Sequence, residues 1–141
     1  MFMNEYKHGI DAKGRLIIPS KFREQCGTSI VITRGFEGCL ALYTVEGWDE
    51  YYSKLLTLPK NNKQSRSLFR MITSRAEICE FDKLGRINIP SKLIDHAKLE
   101  KDCAVIGVGD HVEIWNQEVW DEYYDDNCDD VEENYDSLND I

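Results

Sequence analysis

The feature that most constrains this sequence is an internal repeat. Residues 11–21 read DAKGRLIIPSK, and residues 82–92 read DKLGRINIPSK. A second match follows at nearly the same spacing, because the segment WDEYY begins at both Trp48 and Trp120. Two matches in the same order indicate a duplicated module of roughly seventy residues, and a single pair argues against a solenoid. A module of that size is marginal alone, so we expect the copies to fold as one interlocked unit or as an oligomer.

Both copies predict the same series of elements: strand, tight turn, strand, short helix, two strands and helix. The glycine of the repeated motif suits a turn that needs a positive φ. The proline ends the second strand, and the serine is a candidate N-cap for the short helix. These residues are Gly14, Pro19 and Ser20 in the first copy and Gly85, Pro90 and Ser91 in the second.

The repeat divides the chain into four segments: a first module (5–47), a helix with a basic connector (48–75), a second module (76–119), and a helix with an acidic tail (120–141). Apolar spacing and composition predict helices over 46–57, 65–74 and 117–125. The tail after Tyr124 is dominated by Asp, Glu and Asn. Part of it should extend the last helix, and we expect the rest to be disordered.

Charge is distributed unevenly, which the net charge of −9 conceals. Residues 1–101 hold all 17 Lys and Arg against 12 acidic residues, a net charge of +5. Residues 102–141 hold 14 acidic residues and no basic one. A basic first part is compatible with nucleic-acid binding despite the acidic total.

With no apolar run long enough for a bilayer and no signal peptide, we expect a cytoplasmic protein without a membrane partner.

The repeated turns place cations beside predicted strands. Lys13 and Arg15 flank the first turn, and Lys83 and Arg86 flank the second. Such side chains neutralise phosphates, and arginine can read guanine in the major groove, which admits a two-stranded ribbon. The candidate DNA-binding residues are therefore Lys13, Arg15, Lys21, Arg23, Lys83 and Arg86.

Each of these features also has a plainer interpretation. The Asp11–Arg15 and Asp82–Arg86 pairs could be exposed ion pairs worth about 0–1 kcal/mol, or the aspartate could orient an arginine that contacts DNA. The Ser-Lys steps at 20–21 and 91–92 could hold a phosphate at a helix start or be ordinary caps with solvated lysines. The basic connector could be a solvated helix face or a second phosphate contact. The WDEYY segments are most simply core or subunit contacts.

Catalytic and metal-binding classes are not indicated. His8, His96 and His111 are scattered, and the five cysteines lack the spacing of a zinc site or a redox pair. Their odd number fits reduced thiols that act as small apolar side chains. No cofactor or metal is expected, and an enzyme would need a site assembled only in three dimensions.

The motif Asp-x-x-Gly-Arg followed by Ile-Pro resembles the AbrB-like swapped-hairpin DNA-binding fold. Two copies with duplicated Trp-Asp helices, over residues 1–124, resemble the MraZ family. The resemblance implies an α+β fold, a pseudo-two-fold double-split β-barrel in which the halves of one chain interlock. It also implies a bacterial transcriptional regulator of the division and cell-wall gene cluster, associated with the nucleoid. Such a regulator would bind repeated boxes of double-stranded DNA upstream of its own operon as a ring-shaped homo-oligomer, through turns corresponding to residues 11–15 and 82–86.

Two points stay open in the sequence. The acidic tail could compete with DNA for the basic face, aid solubility, or bind a basic toxin in an antitoxin-like protein of the same fold. A purely structural ring without a nucleic-acid role is a further alternative. The first copy is the more basic one, since Lys21, Arg23 and the connector follow its turn. We therefore expect the first copy to be the main DNA-contacting edge and the second to support the barrel and the ring.

Overall fold

The computed structural model describes residues 1–138, and the predicted series of elements is confirmed in both halves. The first half contains β1 (Glu5–Gly9), β2 (Arg15–Ile17), α1 (Ser20–Arg23), β3 (Ser29–Arg34), β4 (Leu40–Thr44) and α2 (Val45–Leu56). The connector forms α3 (Lys63–Thr73). The second half contains β5 (Glu77–Glu80), β6 (Arg86–Asn88), α4 (Ser91–Ala97), β7 (Asp102–Gly107), β8 (Val112–Asn116) and α5 (Gln117–Asn134).

The two halves interlock through their strands. A six-stranded antiparallel sheet has the order β1-β7-β8-β4-β3-β5, so the first strand of each half pairs with the third strand of the other. The second strands, β2 and β6, pair with each other in a separate two-stranded ribbon. Exchanging the halves reproduces every pairing. The chain is therefore an α+β protein with pseudo-two-fold symmetry, and neither half has a complete sheet without the other.

The closed double-split barrel that the resemblance implies is not confirmed. Strand pairing leaves β1 and β5 at the edges of the sheet, because the three-residue strands of the ribbon bond to each other instead. An isolated bridge between Ile10 and Leu16 connects the end of β1 to the ribbon. Both sheets nevertheless enclose one core, in which Leu16 and Ile87 of the ribbon are buried with Ile32 and Ile114 of the large sheet.

Alternating side chains explain why the ribbon covers the core. In the first half Leu16 and Ile18 are buried, whereas Ile17 between them is exposed. This alternation is the pattern of a strand with one face on the core and one toward solvent. The second half repeats it, with buried Ile87 and Ile89 on either side of exposed Asn88.

The predicted serine N-caps are wrong. Pro19 and Pro90 hold the N-cap positions of α1 and α4, in extended backbone and without a side-chain cap. Ser20 and Ser91 are already the first helical residues, so their hydroxyls lie past the position from which a cap accepts backbone N–H groups.

The acidic tail is more ordered than predicted. α5 continues to Asn134 and is followed by a 3₁₀ turn at Tyr135–Ser137. Asn116 caps its start, where its side chain accepts hydrogen bonds from the amides of Glu118 and Val119. The predicted disorder is therefore wrong up to residue 137, and its last part, residues 139–141, lies outside the described residues. Within residues 1–138, no helix combines the length and apolar content needed to cross a membrane.

Candidate nucleic-acid interface

One carboxylate organises the first turn, residues 11–15. Asp11 Oδ1 accepts hydrogen bonds from the backbone amides of Lys13 at 3.0 Å and Arg15 at 2.9 Å. Asp11 Oδ2 accepts a third from Nε of Arg15 at 2.7 Å. The amide of Arg15, and then its guanidinium, stabilise the charged carboxylate and lower the pKa of Asp11 below its usual value. Asp11 therefore both shapes the turn and holds the side chain of Arg15 in one orientation.

The second turn, residues 82–86, has the same geometry. Asp82 Oδ1 accepts from the amides of Leu84 and Arg86, both at 2.9 Å, and Oδ2 accepts from Nε of Arg86 at 2.7 Å. The lysines differ between the turns. Leu84 takes the place of Lys13, and Lys83 stands one position earlier. Both aspartate–arginine pairs, which the sequence offered as one alternative, are present in the structure. The interpretation in which the aspartate orients the arginine fits their geometry.

Each turn is held against the other half. The amide of Ile18 donates to the carbonyl of Gly85 at 3.1 Å, and the amide of Ile89 donates to the carbonyl of Gly14 at 2.8 Å. Gly14 and Gly85 have φ of 80° and 77°, as predicted for this motif. These reciprocal bonds fix the two turns relative to each other, so the ribbon and its turns form one rigid surface.

The outward side of the ribbon brings the two arginines together. Arg15 lies opposite Asn88 and Arg86 lies opposite Ile17, so the arginines occupy diagonal positions. Asp11 Oδ2 also lies 3.9 Å from Nη1 of Arg86 and connects the two turns. We call this surface the ribbon face and define it by Lys13, Arg15, Ile17, Lys83, Arg86 and Asn88.

The ribbon face presents hydrogen-bond donors and cations on its outward side. The side chains of Arg15 and Arg86 are 35% and 24% exposed, and their bonds to the aspartates use Nε. Guanidinium and amide groups match the acceptors and donors of base edges, and lysines match phosphates. An antiparallel ribbon also fits the width of the major groove.

Comparison with known proteins accounts for the repeat. The family model described as "MraZ protein, putative antitoxin-like" matches residues 1–71 and, a second time, residues 72–137. The chain belongs to the MraZ family. Proteins named "Transcriptional regulator MraZ" are similar to it over nearly their whole length. The one from Ligilactobacillus salivarius is 52% identical and the one from Pediococcus pentosaceus 48% identical, each over 98% of this chain and 94% of the relative. The one from Thermoanaerobacter sp. is 48% identical over 99% of both chains.

The remaining candidate residues of this MraZ-family chain differ in their surroundings. Lys21 is exposed on α1. Arg23 is half-buried, donates from Nε to the carbonyl of Ile18 at 2.8 Å, and lies with its guanidinium directly over Gly85. Ile94, its counterpart in the second copy, lies in the same way over Gly14. Arg23 therefore packs against the turn of the other half. Its alignment with the apolar Ile94 in the repeat is the sequence signal for this packing role.

Sequence reasoning missed a polar cluster in the turn between β7 and β8. The ring of His111 stacks on Tyr43 of β4 at 4.9 Å, and its Nδ1 lies 2.6 Å from Asp110 Oδ1. Its Nε2 lies 3.7 Å from Glu113 Oε2. The pattern Asp-His-x-Glu at residues 110–113 was the available signal. The cluster joins the β7–β8 hairpin to β4 of the other hairpin. Among residues 1–138, no group of three or more His, Cys, Asp or Glu side chains is arranged to hold a metal ion.

Proposed function

We propose that this protein is a sequence-specific DNA-binding transcriptional regulator whose ribbon face enters the major groove of double-stranded DNA. The main support is the pair of arginines, each held by a turn aspartate on the outward side of one antiparallel ribbon. The name shared by its relatives, transcriptional regulator, supports the same proposal.

The residues of the ribbon face have distinct proposed roles. Arg15 and Arg86 donate to O6 and N7 of guanine, and Asn88 suits adenine. Lys13 and Lys83, with Lys21 on α1, neutralise phosphates and position the ribbon. Arg15 is the more exposed arginine, which supports a leading role for the first copy. Because the arginines share one surface, the second turn contributes to the same interface.

A single ribbon face offers few phosphate contacts, so assembly is part of the proposal. We propose a ring-shaped homo-oligomer that binds repeated boxes upstream of its own operon, within the division and cell-wall gene cluster. Linked modules on spaced boxes would raise avidity by roughly 10²–10⁴. Such a protein would act in the cytoplasm, associated with the nucleoid. The core shared by ribbon and sheet supports the finer proposal that they form an AbrB-like double-split barrel.

Arg15→Ala tests this function, with Lys7→Ala as the matched control. Lys7 lies on β1, outside the ribbon face, and its removal costs the same single charge. In a mobility shift on the operon's upstream DNA, Arg15→Ala should weaken specific binding by about 1–3 kcal/mol and relax sequence preference. Lys7→Ala should bind nearly as the wild type does. Equal affinity of Arg15→Ala and wild type, with assembly intact, would contradict the role given to the ribbon face.

A second candidate function is an antitoxin-like protein that binds a basic partner. The family description and the acidic surface of α5 favour it. Co-purification of a basic protein that is lost when residues 125–141 are deleted would support this function. Unchanged footprinting by the truncated protein would show that the two functions are separate.

A further inference from the structure

The second half of the chain carries an exposed apolar stripe where the first half is covered. In the first half, Tyr52 of α2 packs against Phe69 of α3 with ring centroids 5.9 Å apart, and it is 37% exposed. Its counterpart in the repeat, Tyr124 of α5, is 57% exposed. The difference arises because the chain turns back after α2 into α3, whereas α5 continues straight. The repeat therefore marks the place where the second half lacks a covering element.

The stripe continues along α5 at helical spacing. Tyr124, Cys128, Val131 and Tyr135 recur every three or four residues and therefore share one side of the helix. Val131 and Tyr135 are exposed, as is Leu138 beyond the helix. Asp125 and Glu132 lie beside this stripe, whereas Asp126 and Glu133 lie on the opposite side of the helix. An apolar stripe bordered by acids on an otherwise solvated helix is a surface for association.

The first half carries a surface that complements this stripe. A groove of about 400 Å³ between α2 and α3 is lined by Leu55, Leu56, Leu58, Pro59 and Phe69. Lys60, Arg66 and Arg70 lie at the same groove. α3 contains no acidic residue, and Lys63, Arg66 and Arg70 share one side of it. Within residues 1–138, neither the cations of α3 nor the acids of α5 form an ion pair.

α3 is held firmly enough to act as a receptor. Thr33 Oγ1 of β3 donates to the carbonyl of Ile72 at 2.7 Å, and Ile72 is buried. α5 is anchored on the other half of the sheet, where Trp120 and Tyr123 pack on Trp115. The groove and the stripe thus belong to separately anchored elements.

We propose that the acidic, apolar side of α5 from one copy of this chain docks into the α2–α3 groove of a second copy. The apolar stripe covers the groove, and Asp125 and Glu132 meet the cations of α3. The inserted surface on α5 and the receiving groove are different parts of the chain. Each copy can therefore insert its α5 into one neighbour and receive the α5 of a second neighbour. Such a head-to-tail contact closes into a ring when its rotation allows. The inference deepens the proposed self-association and rests on it, but it is independent of DNA binding.

Charge exchange between the two surfaces tests the contact. One variant carries Arg66→Glu and Arg70→Glu, and the other carries Asp125→Lys and Glu132→Lys. In either variant alone, the contact brings charges of the same sign together. Each should therefore associate at least about tenfold more weakly in sedimentation velocity near 0.1 M salt. An equimolar mixture should recover association, since each variant then meets its opposite. The matched control, Asp126→Lys with Glu133→Lys, makes the same charge change on the far side of α5 and should sediment as the wild type does.

The outcomes separate this contact from the other proposals. Variants that assemble like the wild type, or a mixture that fails to recover, would overturn the contact while leaving self-association and DNA binding in place. A wild type that is monomeric at every concentration would overturn the contact and the proposed ring together. Unchanged unfolding midpoints of all variants would show that the losses are not due to misfolding. A mobility shift on the same samples reads DNA binding independently.

Discussion

Gly14 shows how much one residue of the motif has to satisfy. Its φ of 80° lies in the left-handed region, and a Cβ there would lie 2.9 Å from Cδ1 of Ile94 and 3.2 Å from the carbonyl oxygen of Ile89. The positive φ is required by the turn itself. The lack of room for a Cβ arises because the other half packs against the turn. A motif glycine in this chain therefore fixes both the turn and the approach of the two halves.

Two other glycines separate these demands experimentally. Gly38 also has a positive φ, but a Cβ there meets nothing within 4 Å, and Gly27 has neither constraint. Gly38→Ala should cost about 1–2 kcal/mol from backbone strain alone, and Gly14→Ala should cost more. Gly27→Ala should change stability little. Urea unfolding measures all three, and equal losses for Gly14→Ala and Gly38→Ala would show that the approach of the second half is not constraining.

At the scale of elements, the β7–β8 hairpin is tied to β4 by His111. Burial disfavours the charged imidazole, but the neighbouring carboxylates of Glu113 and Asp110 outweigh it and raise the pKa of His111 above its usual value. A histidine whose pKa is raised in the folded state contributes its full stabilisation of the fold at pH values below its unfolded-state pKa of about 6.5. That contribution is lost as the pH rises through the folded-state pKa.

His111→Gln should therefore remove a pH-dependent part of the stability. The difference in free energy of unfolding between wild type and His111→Gln should be larger at pH 5.5 than at pH 8.5. Urea denaturation at both values measures it, and Asp110→Asn should reduce the pH dependence because it removes one hydrogen-bonding carboxylate. A difference that stays constant or grows with pH would contradict the protonated, carboxylate-paired state of His111.

The repeat predicted the helices and strands of this fold better than it predicted which strands pair with each other. The short runs at residues 15–18 and 86–89, each ending before a proline, indicated both ribbon strands, and the aspartate–arginine pairs were among the alternatives that the turns offered. The pairing of β2 with β6 did not follow, because the same short runs would suit strands paired within their own halves. The length of α5 was missed because acidic composition outweighed the helical spacing of Tyr124, Cys128 and Val131, which was present in the sequence.

At the scale of the whole molecule, charge is segregated rather than balanced. The ribbon face carries two lysines and two aspartate-paired arginines, while the acids of residues 125–134 lie along a single helix. A chain with a net charge of −9 can therefore present a local basic surface to DNA. The proposed docking of α5 on α3 would also neutralise part of that acidic helix within an assembly.

Footprinting on the DNA upstream of the protein's own operon tests the central claim most directly. The wild type should protect several short, regularly spaced boxes, with protection weakening steeply as salt is raised because phosphate contacts release counterions. Arg15→Ala with Arg86→Ala should lose the boxes while its assembly in sedimentation is unchanged. Absence of discrete protection by the wild type, or boxes that persist when both arginines are removed, would contradict the assignment of the ribbon as the DNA-reading element.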